Sequence, residues 1–251
     1  MQLERALISR FELKDAFVVP AAGDTLENLN ASIARAAAIY IANRLDDNGF
    51  INMGYGDTPS RVLNHLATMV KPVNVVSLTG GVNYYLPKGF SRTFNARLYL
   101  LPAPLLLSNP QMVDALRQEP SVQEIRQMAK FFQMSVVGVG GMSDEATIIQ
   151  NGILSKTDFT VLSMQGAVGD ILSHFVDRDG SPVASDVEQR LMSTPLEELW
   201  KMENVIGVVG GAAKVEAILA VLHGKYLDAL VTDEATAFGL LERSGEGVSN
   251  Q

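Results

Sequence analysis

Apolar residues at positions 3, 7, 8 and 11 of the opening segment Leu3 to Phe11 share one helical face, and Phe17-Val18-Val19-Pro20 then reads as a short strand. From Glu27 to Leu45 the apolar positions Leu29, Ile33, Ala36, Ala37, Tyr40 and Ile41 recur at helical spacing until the turn residues Asp46-Asp47-Asn48-Gly49 end the pattern. This predicts a long amphipathic helix. Phe50-Ile51-Asn52-Met53, then Gly54 to Ser60, then Val62, Leu63 and Leu66 spell strand, glycine loop and helix, with Thr58 placed to N-cap a helix that starts at Pro59. Val73 to Leu78 and Ala96 to Leu101 predict further strands, and Ser135 to Gly140 and Asn204 to Val209 predict buried parallel strands that run into glycine. Helices are expected over 110–117, 121–132, 213–223 and 234–242, the last after a strand over Asp228 to Thr232. Strands alternating with helices in this way give an α/β class with a mostly parallel sheet.

Composition narrows the picture. A chain of 251 residues with 47% hydrophobic and 19% charged positions can bury a sizeable core, and it reads as one domain over 1–243 with a polar, frayed tail over 244–251. The longest apolar run, Leu98 to Leu107, contains Pro102 and Pro104 and is too short to span a membrane, so it is expected to be a buried strand and its exit. Met1-Gln2-Leu3-Glu4-Arg5 does not open a signal peptide, and a cytoplasmic location is the default. The formal charge of −8 argues against this segment gripping a nucleic-acid backbone itself. Cysteine is absent and the three histidines, His65, His174 and His223, are far apart in sequence, so no metal site and no cofactor is expected.

The candidate chemistry lies in glycine loops at strand ends, where backbone amides can approach a ligand closely. Gly54-x-Gly56-x-Thr58-Pro59-Ser60 joins permissive glycines to hydroxyls at a helix start, where unpaired N–H groups favour an anion. It lacks the Gly-Lys-Ser/Thr of a Walker loop, and Pro59 stands where a dinucleotide fingerprint needs its third glycine. The alternative is an ordinary tight turn. Thr79-Gly80-Gly81-Val82-Asn83 repeats the logic, with Thr79 and Asn83 as candidate ligand groups, whereas Gly138 to Ser143 suits either ligand approach or close packing. In Gly166-Ala167-Val168-Gly169-Asp170, Asp170 is placed either to bind sugar hydroxyls or to cap a helix. Gly207 to Lys214 puts Lys214 in the first turn of a helix, a poor place for a cation unless it answers a ligand anion.

In this order, the motifs resemble the C-terminal effector domain of SorC-type bacterial transcriptional regulators, over Leu3 to Leu241. The strongest pieces are Gly166 to Asp170 with Phe175-Val176-Asp177-Arg178-Asp179-Gly180, and Gly207 to Lys214 with Ala217-Ile218 and Leu230-Val231-Thr232-Asp233. Thr79-Gly80-Gly81, Pro102-Ala103-Pro104 and Ala146 to Gly152 add to them. The resemblance implies a Rossmann-like sheet with helices on both faces, related to ribose-5-phosphate isomerase and glucosamine-6-phosphate deaminase. It also implies a homo-oligomeric sensor whose effector is a phosphorylated sugar. The family's phosphate loop falls on Gly54, Gly56, Thr58 and Ser60, its acidic sugar contact on Asp170 and its ligand lysine on Lys214, with Asp57 standing where many members carry a basic residue. Operator DNA would be met only through a helix-turn-helix that precedes the segment like Leu3-Glu4 and is not in this sequence. Gly80-Gly81-Val82, Pro102 to Pro104 and Asp144 to Ile149 are particularly similar to the branch that senses phosphorylated autoinducer-2, one option among the sugars.

Two other functions compete. A sugar-phosphate isomerase or deaminase on the same fold would use Asp170 as base and Lys214 to stabilise an enediolate, but no compact acid/base pair adjoins the loops. A dehydrogenase lacks its complete glycine fingerprint. The reading is therefore a sensor with no catalytic residues.

Overall fold

In the computed structural model, which describes residues 2–20, 25–69, 71–86, 94–132 and 134–246, helix α1 (Gln2–Phe11) leads into strand β1 (Asp15–Val19). Helix α2 (Leu26–Ala42) then carries the chain to β2 (Phe50–Met53), α3 (Asp57–Leu66), β3 (Val73–Ser77) and β4 (Ala96–Tyr99). The helix pair α4 (Pro110–Gln118) and α5 (Pro120–Phe131) precedes β5 (Ser135–Val137) and β6 (Val139–Gly141). After the short α6 (Thr147–Gln150) and α7 (Lys156–Met164) come β7 (Gly169–Ile171), β8 (His174–Val176) and the short helices α8 (Asp186–Gln189) and α9 (Leu196–Leu199). The chain finishes through β9 (Val205–Val208), α10 (Val215–His223), β10 (Ala229–Asp233) and α11 (Glu234–Glu246).

Local chemistry explains the helix starts. Thr25 accepts the Asn28 amide at the N-cap of α2, Asn109 accepts the Met112 amide at that of α4, and proline occupies the first turn of both α4 and α5. The face of α2 formed by Ile33, Ala34, Ala37, Ala38 and Ile41 is fully buried, which is what its apolar periodicity requires.

A seven-stranded sheet runs β1-β10-β9-β5-β2-β3-β4 with every neighbouring pair parallel. Alternate strand residues feed opposite layers. Ile206, Val208, Ala229 and Val231 join the core beneath α2 and α3, whereas Val205 and Leu230 join the one formed with α1, α10 and α11. From β2 the chain winds outward through β3 and β4, and from β5 it winds the other way through β9 and β10, so the topology reverses between adjacent β2 and β5. In open parallel sheets ligands bind at the carboxyl ends of the strands at such a reversal. A second, antiparallel sheet, β6-β7-β8, stands directly after β5.

Several boundaries differ from expectation. The apolar stretch Ser135 to Gly140 is not one parallel strand: it breaks at Gly138, which packs on the Pro59 ring, and continues as β6 in the second sheet. Helix α3 is capped by Gly56 and begins at Asp57, which leaves Thr58 buried within the first turn rather than at the cap. Gly56 takes this place because its φ of 150° is closed to side-chain-bearing residues. Strand β4 is a half-buried edge rather than a fully buried strand. Residues 244–246 belong to α11 rather than to a frayed tail, with the Ser244 hydroxyl donating to the Leu241 carbonyl and the Arg10 guanidinium donating to the Ser244 carbonyl. The rest of the expected tail, 247–251, lies outside the described residues.

Candidate functional site

The β2–α3 connection lies at the reversal point. Gly54 lacks room for a side chain because the Leu172 side chain occupies that space, and the Gly54 amide donates to the Val136 carbonyl of β5. The amino end of α3 follows at once, with its unpaired N–H groups. Asp57 turns its carboxylate toward Arg61 Nε at 2.9 Å and Asn30 Nδ2 at 3.1 Å. Its charge is thus answered within the protein. Ser60 donates its hydroxyl back to the Gly56 carbonyl at 2.7 Å, so its Oγ braces the loop.

Asp170 sits on β7 directly across from Gly140 of β6. A methyl group at Gly140 would collide with the Asp170 carboxylate, and one at Gly141 would touch the Lys214 side chain at 3.6 Å. These glycines, open to either reading from sequence, make the space in which the two charged groups lie. Asp170 is a strand residue and does not cap a helix. Its Oδ2 accepts the Ser173 amide at 3.1 Å. Burial pushes the carboxyl up to about 6, against the opposing pull of Lys214, the Ser173 amide and His174.

Lys214 ends a 3-10 turn, Ala212–Lys214, and stands at the N-cap of α10 rather than inside its first turn. Its Nζ donates to the Val139 carbonyl at 3.2 Å. Burial lowers its pKa, while Asp170 and Asp57 raise it. A partly buried cation at a positive helix end, with a partly buried carboxylate in Coulombic reach, is an arrangement that gains from a ligand carrying both an anion and hydroxyls. The preceding loop is pinned by Asp233, whose carboxylate accepts the Gly211 amide and the Thr236 amide and hydroxyl.

The Thr79 loop supports this site through its backbone and packing. Thr79 is fully buried, and its hydroxyl contacts the Tyr85 hydroxyl at 2.7 Å and the Gly80 carbonyl at 3.0 Å. Thr79 was expected to offer this hydroxyl to a ligand; in the structure its partners are Tyr85 and Gly80. Gly80 abuts the Pro104 carbonyl, and Gly81, at φ 87°, opens a 3-10 turn that leaves Asn83 exposed. Tyr84 of that turn packs its ring 4.9 Å from that of Tyr55, which brings the Gly54 and Thr79 loops together. Tyr55 was not singled out in the sequence. Its hydroxyl donates to the Thr147 carbonyl and accepts from Asn151, and burial raises its pKa.

Elsewhere, a recess of about 530 Å³ opens at the amino ends of the strands beside Phe131 and Phe132, but its main charges are already paired as Lys14–Asp228 and Arg44–Asp15. Among the described residues no three of His, Asp and Glu gather to hold a metal ion, and no helix is long and apolar enough to cross a membrane.

An open parallel sheet with converging glycine loops and a carboxylate–lysine pair at its reversal point is a ligand-binding architecture, and comparison supplies the family. Residues 1–242 match the model described as "Putative sugar-binding domain", and the chain belongs to this family. It is similar to Transcriptional regulator LsrR of Klebsiella pneumoniae, 33% identical over 246 residues that make up 96% of this chain and 76% of that protein. The LsrR protein of Escherichia coli K12 is 30% identical over 96% of this chain and 77% of that protein. A structure from Vibrio fischeri described as "Putative Sugar-Binding Domain of Transcriptional Repressor" superposes with a TM-score of 0.85 at 23% identity, covering 97% of this chain and 99% of that one. The full-length sorbitol operon regulator SorC of Klebsiella pneumoniae gives 0.81 at 24%, with 96% and 80% covered. The chain is thus a sugar-binding effector domain of a transcriptional regulator, and these relatives are regulators rather than enzymes.

Proposed function

We propose that this domain binds a phosphorylated sugar at the β2/β5 reversal and transmits its presence to a DNA-binding domain. The observation that carries the reading is the placement of Asp170 and Lys214, two partly buried groups of opposite charge, beside the amino end of α3. The α3 amides and Lys214 suit a phosphate, and Asp170 suits sugar hydroxyls, which it accepts as charge-assisted hydrogen bonds. Asp57 does not repel the phosphate because Arg61 and Asn30 engage its carboxylate. In this reading Gly54, Gly56, Gly80 and Gly81 shape the walls, Thr58 offers its hydroxyl at the start of α3, Ser60 and Thr79 hold the loops, and exposed Asn83 reaches the sugar from the rim.

The relation to the sugar-phosphate isomerase and deaminase fold, the homo-oligomer and the cytoplasmic setting belong to the same proposal. So does operator binding through a separate helix-turn-helix, since a charge of −8 leaves this domain ill suited to contact DNA. A thermal-shift screen of phosphorylated pentoses, hexoses and ketoses tests the reading. A ligand bound only by the native state raises its melting temperature, and the dephosphorylated sugar at the same concentration should not. Equal shifts from both forms would remove the reason for an anion site.

A further inference from the structure

The loop between β7 and β8 has only two residues, Leu172 and Ser173, since Ile171 pairs directly with His174. Both take left-handed backbone angles, with φ of 52° and 66°. Such corners normally carry Asn-Gly or Asp-Gly, because side chains disfavour this region. Here the turn is built from residues ill suited to it, and both are buried, at 2% exposure each. Something must hold it.

Three contacts do so. The Leu172 side chain fills the space above Gly54, the Ser173 amide donates to Asp170 Oδ2 at 3.1 Å, and the Ser193 hydroxyl donates to the Leu172 carbonyl at 2.8 Å. Ser193 is itself buried at 4% exposure and bridges Thr79, while its neighbours Met192 and Thr194 bond the backbone of Gly80 and Leu78. The buried Ser193 hydroxyl therefore connects the turn that orients Asp170 to the Thr79 loop, next to the contact of His174 Nε2 with the Thr194 carbonyl at 3.0 Å.

We propose that Ser193 is a positioning residue for the ligand site: by holding the Leu172 carbonyl it keeps the unfavourable Leu172–Ser173 turn in the one form whose Ser173 amide fixes the Asp170 carboxylate. This inference rests on Asp170 being a ligand group. Its gain is preorganisation, because a carboxylate already locked in direction loses less freedom when a sugar hydroxyl arrives. The charged and titratable groups that act on Asp170 are Lys214 before α10, His174 on β8 and Tyr55 after β2, and Asp57 acts on Lys214. Ser193 bonds none of these side chains itself, but His174 Nε2 lies 3.0 Å from the carbonyl of its neighbour Thr194, so the exchange rate of the Ser173 amide, which reads the turn directly, separates an effect through the turn from one through His174.

The test needs no ligand. Carboxyl-detected NMR titration of the free protein should place the Asp170 midpoint near 6. Ser193→Ala should move that midpoint upward, because the Ser173 amide that favours the carboxylate is no longer held, and should speed Ser173 amide exchange by ~10-fold or more. Ser193→Cys, close in size and a weaker donor, should shift both in the same direction by less, and it decides the matter if the alanine variant does not fold. Ser173→Gly keeps the amide and relieves the left-handed angle, so it should leave the Asp170 midpoint in place while raising Tm by ~2–4 °C. An unchanged midpoint and exchange rate in the folded Ser193 variants would overturn the proposal, as would a Ser173→Gly variant whose Asp170 midpoint moves as in Ser193→Ala. Wild-type protein that binds no phosphorylated sugar while these shifts appear would refute the ligand reading, and Ser193 would then orient Asp170 through the turn without serving a ligand.

Discussion

Replacing Asp170 by asparagine should make the ligand-free domain more stable. Burial raises this carboxyl from 3.8 to about 6 even with Lys214, His174 and the Ser173 amide pulling the other way. At about 1.36 kcal/mol per pH unit, keeping the group ionised at pH 8 costs the folded state up to about 3 kcal/mol, less in so far as the partly exposed carboxylate keeps contact with water. The sign follows from linkage. A carboxyl with a raised folded pKa makes stability fall as pH rises from 3.8 toward 6, and the whole cost is present above that window. Asparagine keeps the shape and an acceptor for the Ser173 amide but never ionises. For a domain of this size about 3 kcal/mol corresponds to ~6–12 °C in Tm. Denaturant melts of both proteins at pH 8 and pH 4 measure it. The gain should be large at pH 8 and mostly gone at pH 4, and phosphorylated-sugar binding should be lost at both. A destabilised Asp170→Asn variant, or a gain independent of pH, would refute the reasoning, since either would mean that the carboxylate is not held at a cost to the fold.

Further outcomes follow from the same geometry. Gly140→Ala places a methyl group against the Asp170 carboxylate and should cost about 1–3 kcal/mol of stability together with ligand binding, checked by melts and calorimetry. Lys214→Ala should weaken phosphorylated-sugar binding by ~10–150-fold, about 1.5–3 kcal/mol for a charged hydrogen bond, while the dephosphorylated sugar binds no differently from wild type. The domain alone should not retain operator DNA in a salt-titrated mobility-shift assay, and NMR of incubated phosphorylated sugars should show no isomerisation or loss of an amino group.

Much of the fold was legible because burial leaves a period. Helix α2 and the strands β3, β9 and β10 appear where apolar spacing placed them, within a few residues. The β7–β8 hairpin was hidden for the reason that makes it interesting: its turn is Leu172–Ser173, where a hairpin ordinarily announces itself with Asn-Gly. The break at Gly138 was equally silent, since Val136 to Gly141 is apolar or glycine throughout and carries no phase to show the chain changing sheets. At the site, the sequence shows where hydroxyls stand but not what they bond. Thr79 and Ser60 were singled out for chemistry that their own loops consume, because a buried hydroxyl must find a partner and the nearest backbone supplies it. Tyr55 gave no signal, as its role depends on Thr147 and Asn151 being brought close by folding.

The central claim, a phosphorylated sugar held between the amino end of α3, Asp170 and Lys214, is tested most directly by titrating isotope-labelled protein with a binding phosphorylated sugar and mapping backbone shifts. The account predicts changes concentrated at Gly54 to Ser60, Gly140, Asp170 to Ser173 and Gly211 to Lys214, with none from the dephosphorylated sugar at the same concentration. Shifts centred instead on Lys14, Arg44 and Phe131 at the opposite end of the sheet, or equal shifts from both sugars, would contradict it.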